Sequence, residues 1–169
     1  MECLWAPWRM EYIMGKKKRG CFFCKKLKEK KNKENLILYQ GEDVFVVMNK
    51  YPYANGHLMV VPKRHCLSLE QLDNNELKEL FDLLKASVRV LKASFHPQGF
   101  NIGMNIGKAG GAGEDHLHLH IVPRWAGDTN FMPVIGKTKV ISDYLGKTYQ
   151  KLHSTFLDLL RKKAVQKGG

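Results

Sequence analysis

The chain has 169 residues, 44% of them apolar, and carries 28 Lys+Arg against 16 Asp+Glu for a formal net charge of +12. This length fits one globular domain able to bury a core, and no apolar run reaches the roughly 20 residues that a membrane span needs. Met1-Glu2-Cys3-Leu4-Trp5 lacks the basic-then-apolar order of a secretory signal, and Cys3, Cys21, Cys24 and Cys66 are not spaced like a disulfide framework, so a cytoplasmic protein with reduced thiols or a metal is expected.

In chain order, residues 1–20 hold Trp5, Pro7, Trp8, Met10, Tyr12, Ile13 and Met14, too apolar for a free tail, and predict an arm docked on the body. From Lys16 to Lys33, ten Lys/Arg face one acid, Glu29, which puts most of the excess charge in one short segment. A solvated basic stretch and a phosphate- or nucleic-acid-attracting one are both readings of it. Lys25 to Glu34 tolerates helix but has almost no apolar residues, which predicts a short exposed helix or a loop. Leu36–Tyr39 and Val44–Met48 read as two antiparallel strands around the turn Gln40-Gly41-Glu42-Asp43, and His57–Val61 as a third strand closed by Pro62. Apolar residues at three and four from Leu69 to Leu91 predict a long helix, capped by Asp73 or Asn74 and ended by Pro97-Gln98-Gly99. Phe100–Ile106 and Leu117–Val122 alternate as strands four and five, and a second amphipathic helix spans about Ser142 to Val165. The order predicts an α+β fold: an antiparallel sheet of about five strands with the long helix and a C-terminal helix packed on it.

His116-Leu117-His118-Leu119-His120 alternates imidazole with apolar residues, so in a strand three rings face one side about 7 Å apart along the chain. Edge-strand polarity, a metal site and nucleophilic catalysis are all open to such a row. Immediately upstream, Gly107, Gly110, Gly111 and Gly113 surround Lys108. Such a stretch is either a flexible turn or a backbone cradle for phosphate, and its position before the imidazoles favours the cradle. Cys21-Phe22-Phe23-Cys24 supplies two of a metal's usual four ligands or a redox pair.

The string His116–Val122, together with Asn55-Gly56-His57-Leu58-Met59-Val60-Val61-Pro62-Lys63-Arg64-His65 and the Cys21/Cys24 pair, resembles the histidine-triad (HIT) family of nucleotide hydrolases and transferases. The likeness runs from about Cys21 to Trp125. It implies one domain with a core over 21–125 between the N-terminal arm and a C-terminal extension over 126–169. The flanks, Leu4-Trp5-Ala6-Pro7-Trp8-Arg9-Met10 and Val122-Pro123-Arg124-Trp125 with the following Gly127–Val134, are similar to the bacterial branch that includes diadenosine tetraphosphate phosphorylases.

The resemblance implies that His118 is the nucleophile that forms a nucleotidyl-histidine at the α-phosphorus, its second nitrogen held by a backbone carbonyl. It places His120, His57 and His116 in the same catalytic group, with no catalytic metal required. It further implies ribose contacts from Asn49 and base contacts from Val47 and Met59, although apolar strand residues are usually core. Phosphate contacts are implied for Asn105, Lys108 and the backbone at Gly111 and Gly113. Ala112 and Gly113 stand where many relatives carry Gln and Ser, so backbone amides, Asn105 or Lys108 must take over those contacts. His120, where the nucleotidyltransferase branch typically has Gln, favours hydrolysis or phosphorolysis. Zinc-containing relatives imply a structural Zn²⁺ on Cys21, Cys24, His65 and His116. The expected substrate is a dinucleoside polyphosphate, with inorganic phosphate or water as acceptor, acting in a homodimer. Phosphoramidate hydrolysis is an enzymatic alternative. A zinc-stapled basic protein binding nucleic acid is the rival from another class, and it leaves the imidazole row unexplained.

Overall fold

The computed structural model describes residues 20–29, 31–128 and 143–167, so the predicted arm over 1–20, save Gly20, and most of the 127–134 flank lie outside the described residues. The elements run α1 (Phe22–Lys28), β1 (Ile37–Gln40), β2 (Val44–Met48), β3 (Leu58–Pro62), a 3₁₀ turn (Leu69–Gln71), α2 (Asn74–Phe95), β4 (Gly99–Met104), β5 (Leu119–Arg124) and α3 (Leu145–Lys167). The five strands form one sheet in the order β1-β2-β3-β5-β4, with every neighbouring pair antiparallel. This is the α+β arrangement that the alternating strands and the two amphipathic helices predict.

The period-two pattern divides the sheet into two faces. Val44, Val46, Met48, Leu58, Val60, Leu119 and Ile121 point to α2 and α3, where they meet Leu80, Val90, Leu91, Leu152 and Phe156 in the main core. The intervening residues Ile37, Phe45, Val47, Met59 and Val61 form a smaller core on the other face, closed by Phe23 of α1. Both central strands β2 and β3 are therefore buried throughout. β4, at the end of the sheet, leaves Asn101, Ile102 and Gly103 exposed.

Some boundaries follow the sequence expectation and others differ from it. The long helix starts at Asn74, behind the cap expected at Asp73, whose side chain accepts the amides of Asn75 and Glu76 while Glu76 reaches back to the Asp73 amide. That capping box fixes the first turn. The helix then runs past Leu91 to Phe95 and ends at His96 in the left-handed region (φ 48°). The first helix begins earlier than expected and takes in Cys24. It is not simply exposed, since Phe23 and Lys26 are buried and the Lys26 ammonium donates to the Asn35 carbonyl at 2.6 Å. β5 begins at Leu119 and not at Leu117, because the Leu117 amide donates to the Cys66 carbonyl at 2.8 Å and not to a neighbouring strand.

Two carboxylates tie α2 to the rest of the chain. Glu79 accepts the amides of Glu42, Asp43 and Val44 at 2.8, 2.6 and 2.9 Å, anchoring the β1–β2 turn, and a Cβ at Gly41 would collide with the same carboxylate. Glu76 is buried and takes a bidentate pair from Arg64 at 2.9 and 2.6 Å. That guanidinium holds the Glu76 carboxyl below the usual glutamate range. A depressed folded-state value adds stability above the unfolded glutamate pKa, and this is lost as pH falls through the folded value. Glu76→Gln is accordingly expected to destabilise the protein at neutral pH, with its urea midpoint approaching that of the parent protein as the pH is lowered through the acid limb.

Candidate active site and metal cluster

The site lies on the sheet face away from α2 and α3. Val47 pairs with Met59, Met59 with His120 and His120 with Gly103, so one rung crosses β2, β3, β5 and β4 on that face. His118, two residues before His120, presents its ring on the same side, with the two ring centroids 4.6 Å apart at 75°. His57 sits directly before β3, and its Nε2 lies 2.9 Å from His120 Nδ1.

The hydrogen bonds fix the ring protons one by one. The Tyr53 amide donates to His57 Nδ1 at 3.1 Å, and Asn49 Nδ2 approaches the same nitrogen at 3.4 Å. A nitrogen that accepts carries a lone pair, so the His57 proton is on Nε2 and is donated to His120 Nδ1. His120 then carries its own proton on Nε2. His118 Nδ1 lies 2.7 Å from the main-chain carbonyl of His116, and a carbonyl only accepts. The His118 proton is therefore on Nδ1 and its Nε2 keeps a lone pair. Burial lowers the His118 pKa, against smaller raising effects from that carbonyl bond and from Glu114, so the ring is neutral at pH 7. A neutral nitrogen lone pair beside a neighbouring N–H donor is the equipment of a nucleophile with an electrophilic helper.

The row of three imidazoles is not uniform. The His116 ring leaves it for a second cluster, formed with Cys21 at the N-cap of α1, Cys24 in its first turn and His65 after β3, all with ligand atoms within 4.8 Å of one another. His116 Nδ1 lies 3.1 and 3.7 Å from the Cys21 and Cys24 sulfurs and 3.3 Å from His65 Nδ1, and Cys24 lies 3.7 Å from His65 Nδ1. Zn–N of about 2.0–2.1 Å and Zn–S of about 2.3 Å in a tetrahedron put ligand atoms roughly 3.3–3.8 Å apart, so the four donors fit such an ion. His116 Nε2 donates to the Pro62 carbonyl at 2.9 Å, which turns the Nδ1 lone pair to the cluster. Burial pushes the His116 imidazole down to about 4, keeping it neutral as a ligand must be.

The other residues expected at the site distribute as follows. Asn49 lies beside His57, and its Oδ1 accepts the Tyr51 amide at 2.9 Å. Val47 and Met59 are cross-strand partners buried beneath Phe23. The glycine loop is exposed from Ile106 to Gly111 and folds on itself. The Gly110 and Ala112 amides donate to the Gly107 carbonyl and the Gly111 amide to the Lys108 carbonyl. Those three amides are thus bonded inside the loop. Asn105 Nδ2 reaches the Gly111 carbonyl at 3.5 Å, while Lys108 extends from the exposed stretch and Gly113 follows it toward Glu114 and His116.

Two contributors were not singled out in the sequence. Phe23 lies 5.1 Å from the His118 ring and 5.5 Å from the His116 ring, and its place inside the Cys pair was the available signal. Tyr53 stacks on His57 at 4.9 Å, and nothing in the sequence marks its amide as the group that orients that ring.

The model of the HIT domain family matches residues 30–127. An AP-4-A phosphorylase of Mycobacterium tuberculosis is 38% identical over 161 residues, spanning 90% of this chain and 83% of the relative. A Zn-bound histidine triad family protein from Mycobacterium smegmatis superposes with a TM-score of 0.70 at 24% identity, over 85% of this chain and 97% of the other. A hypothetical histidine triad nucleotide-binding protein from Sulfolobus tokodaii does so with 0.70 at 28% identity, over 84% and 95%. The chain belongs to the HIT family and is a nucleotide-processing enzyme of that family.

The tautomers are directly measurable. Long-range ¹H–¹⁵N spectra at pH 7 are expected to find His118 protonated on Nδ1 and His57 on Nε2, with His118 gaining its second proton below the usual histidine range.

Proposed function

We propose that this chain cleaves dinucleoside polyphosphates, diadenosine tetraphosphate first among them, at the α-phosphorus by transfer of the nucleotidyl group to His118 and then to inorganic phosphate. The observation that carries this reading is the 2.7 Å bond from His118 Nδ1 to the His116 carbonyl, which leaves Nε2 as an oriented lone pair on a neutral ring. In the first half-reaction Nε2 attacks the α-phosphorus, the N–P bond forms and the bond to the bridging oxygen breaks. The ring becomes cationic, and the His116 carbonyl stabilises that charge through the Nδ1 proton. The Nε2 proton of His120, set by the chain from the Tyr53 amide through His57, faces charge developing on the phosphate oxygens or leaving group. In the second half-reaction a phosphate oxygen attacks the same phosphorus and His118 leaves as a neutral ring. Diadenosine tetraphosphate would yield ATP and then ADP, whereas water as acceptor would yield AMP.

The likeness to the mycobacterial AP-4-A phosphorylase supports phosphate as the acceptor. Asn49, beside His57, is suited to ribose hydroxyls. With the Gly110, Gly111 and Ala112 amides engaged within the loop, Lys108 and Asn105 become the leading phosphate contacts there, ahead of the Gly111 backbone. The Cys21, Cys24, His65 and His116 set is read as holding a structural zinc. Four protein donors complete a tetrahedron, so such an ion supplies no open position for chemistry and serves to tie α1 to the sheet.

Incubation with diadenosine tetraphosphate, with and without phosphate, tests the reaction. ADP formed only in the presence of phosphate is the expected result, AMP formation would reassign the chain as a hydrolase, and no turnover under either condition would overturn the reading. His118→Ala is expected to lower the rate by at least about 10³-fold, because it removes the covalent route.

A homodimer fits the edge of β4, where Ile102 (46% exposed) lies on a strand that, among the described residues, pairs on one side only. Ile102→Lys is expected to shift the sedimentation coefficient from dimer to monomer. A parent protein that sediments as a monomer at micromolar concentration would contradict the dimer.

A further inference from the structure

We infer that Phe23 is a positioning residue through which occupancy of the Cys21/Cys24/His65/His116 cluster sets the orientation of the His118 ring. The inference rests on the reading above in treating His118 as the nucleophile and the four Cys/His donors as a zinc site.

The His118 ring is held on two sides. Its edge is held by the His116 carbonyl at 2.7 Å. Its face meets the Phe23 ring at a centroid distance of 5.1 Å and an interplanar angle of 48°. Both restraints lead back to the same four donors. His116 offers its ring to the cluster and its carbonyl to His118, while Phe23 lies in sequence between Cys21 and Cys24. Phe23 is 2% exposed and also packs edge-on against His116 at 5.5 Å and Phe45 at 6.4 Å, so its ring can shift only if α1 shifts.

α1 has little of its own to keep it in place. At seven residues it is far below the length at which a helix persists unaided, and the Cys21 side chain makes no capping bond to it. Its position therefore comes from tertiary anchors, among them the Phe23 and Leu27 contacts, the reciprocal bonds between Lys26 and Asn35 and the two sulfurs. A cation shared by Cys21, Cys24, His65 and His116 converts weak sulfur–imidazole contacts into a rigid cross-link between α1, the segment after β3 and the segment before β5. With the cross-link made, Phe23 is pressed onto the nucleophile. Without it, the ring keeps the carbonyl bond and the His120 contact but loses the Phe23 wall. Phe23 carries no polar group and touches no substrate phosphate in this scheme. Its role is to fix the direction of the His118 Nε2 lone pair.

The test reads the His118 Nδ1 proton, assigned by its absence in His118→Ala. Its exchange with solvent is measured in zinc-loaded protein, after chelation, after zinc is restored, and in the loaded variants Phe23→Ala and Phe23→Leu, with zinc content titrated colorimetrically in each. Chelation is expected to speed exchange by at least about tenfold and zinc to reverse it. Phe23→Ala is expected to do the same while retaining its zinc, and to lower kcat for nucleotide cleavage about tenfold with KM little changed, whereas Phe23→Leu, which keeps an apolar wedge, retains most of both. Unchanged exchange on chelation, wild-type exchange in Phe23→Ala, or failure of the loaded chain to take up zinc would each overturn the proposal. Should Phe23→Ala fail to fold by circular dichroism, the chelation arm and Phe23→Leu still decide. A protein that cleaves no dinucleoside polyphosphate but passes the exchange arms would retain this coupling while losing the proposed reaction.

Discussion

The bond from the His118 ring to the His116 carbonyl is the constraint on which the site depends. It selects the tautomer and points the lone pair, and under the proposed mechanism it gives a cationic intermediate a partner at no further cost in reorganisation. The carbonyl is free to serve because His116 lies ahead of the β5 ladder, which begins at Leu119. Had the ladder begun at Leu117, that carbonyl would be available to a neighbouring strand. The irregular stretch before β5 thus helps to fix the His118 ring, and its amide at Leu117 is satisfied by the carbonyl of Cys66, next to His65 of the Cys/His cluster.

The same economy appears in the sheet. Alternation sends Leu119 and Ile121 into the helix-covered core and His120 to the opposite face, so the layer that fixes β5 also aims the imidazole. The rings on that face are chained by their protons from the Tyr53 amide to His57 to His120, and each donor dictates the next tautomer. The electrostatics of the site are therefore set by backbone groups at both ends, a carbonyl for His118 and an amide for His57, which side-chain substitutions cannot remove without moving the chain.

Much of this was legible in the sequence. The strands, both long helices and the division of apolar from imidazole positions around His118 and His120 follow from period and spacing, because each element buries one face. The gathering of Cys21, Cys24, His65 and His116 is not visible in spacing alone, since it needs three separate segments to meet, and only the family resemblance brought them together. The cap of α2 at Asp73 was legible too. Two things stayed hidden for physical reasons. The glycine loop looked like a row of available amides, but glycines that fold tightly enough to approach a ligand also fold tightly enough to bond to themselves. The contact of Phe23 with His118 depends on a helix too short and too basic to look anchored.

The anchoring of the β1–β2 turn has a bearing on how this chain can vary over evolutionary time. Gly41 leaves the space that the Glu79 carboxylate fills, and that carboxylate satisfies three amides of the turn. A side chain at 41 requires the carboxylate to shift from that space, and loss of the acid leaves the turn amides to water, so the two positions are coupled. Among diverging sequences the two should be inherited as a unit or exchanged together for a turn of different length, leaving a covariation signal remote from any reacting group.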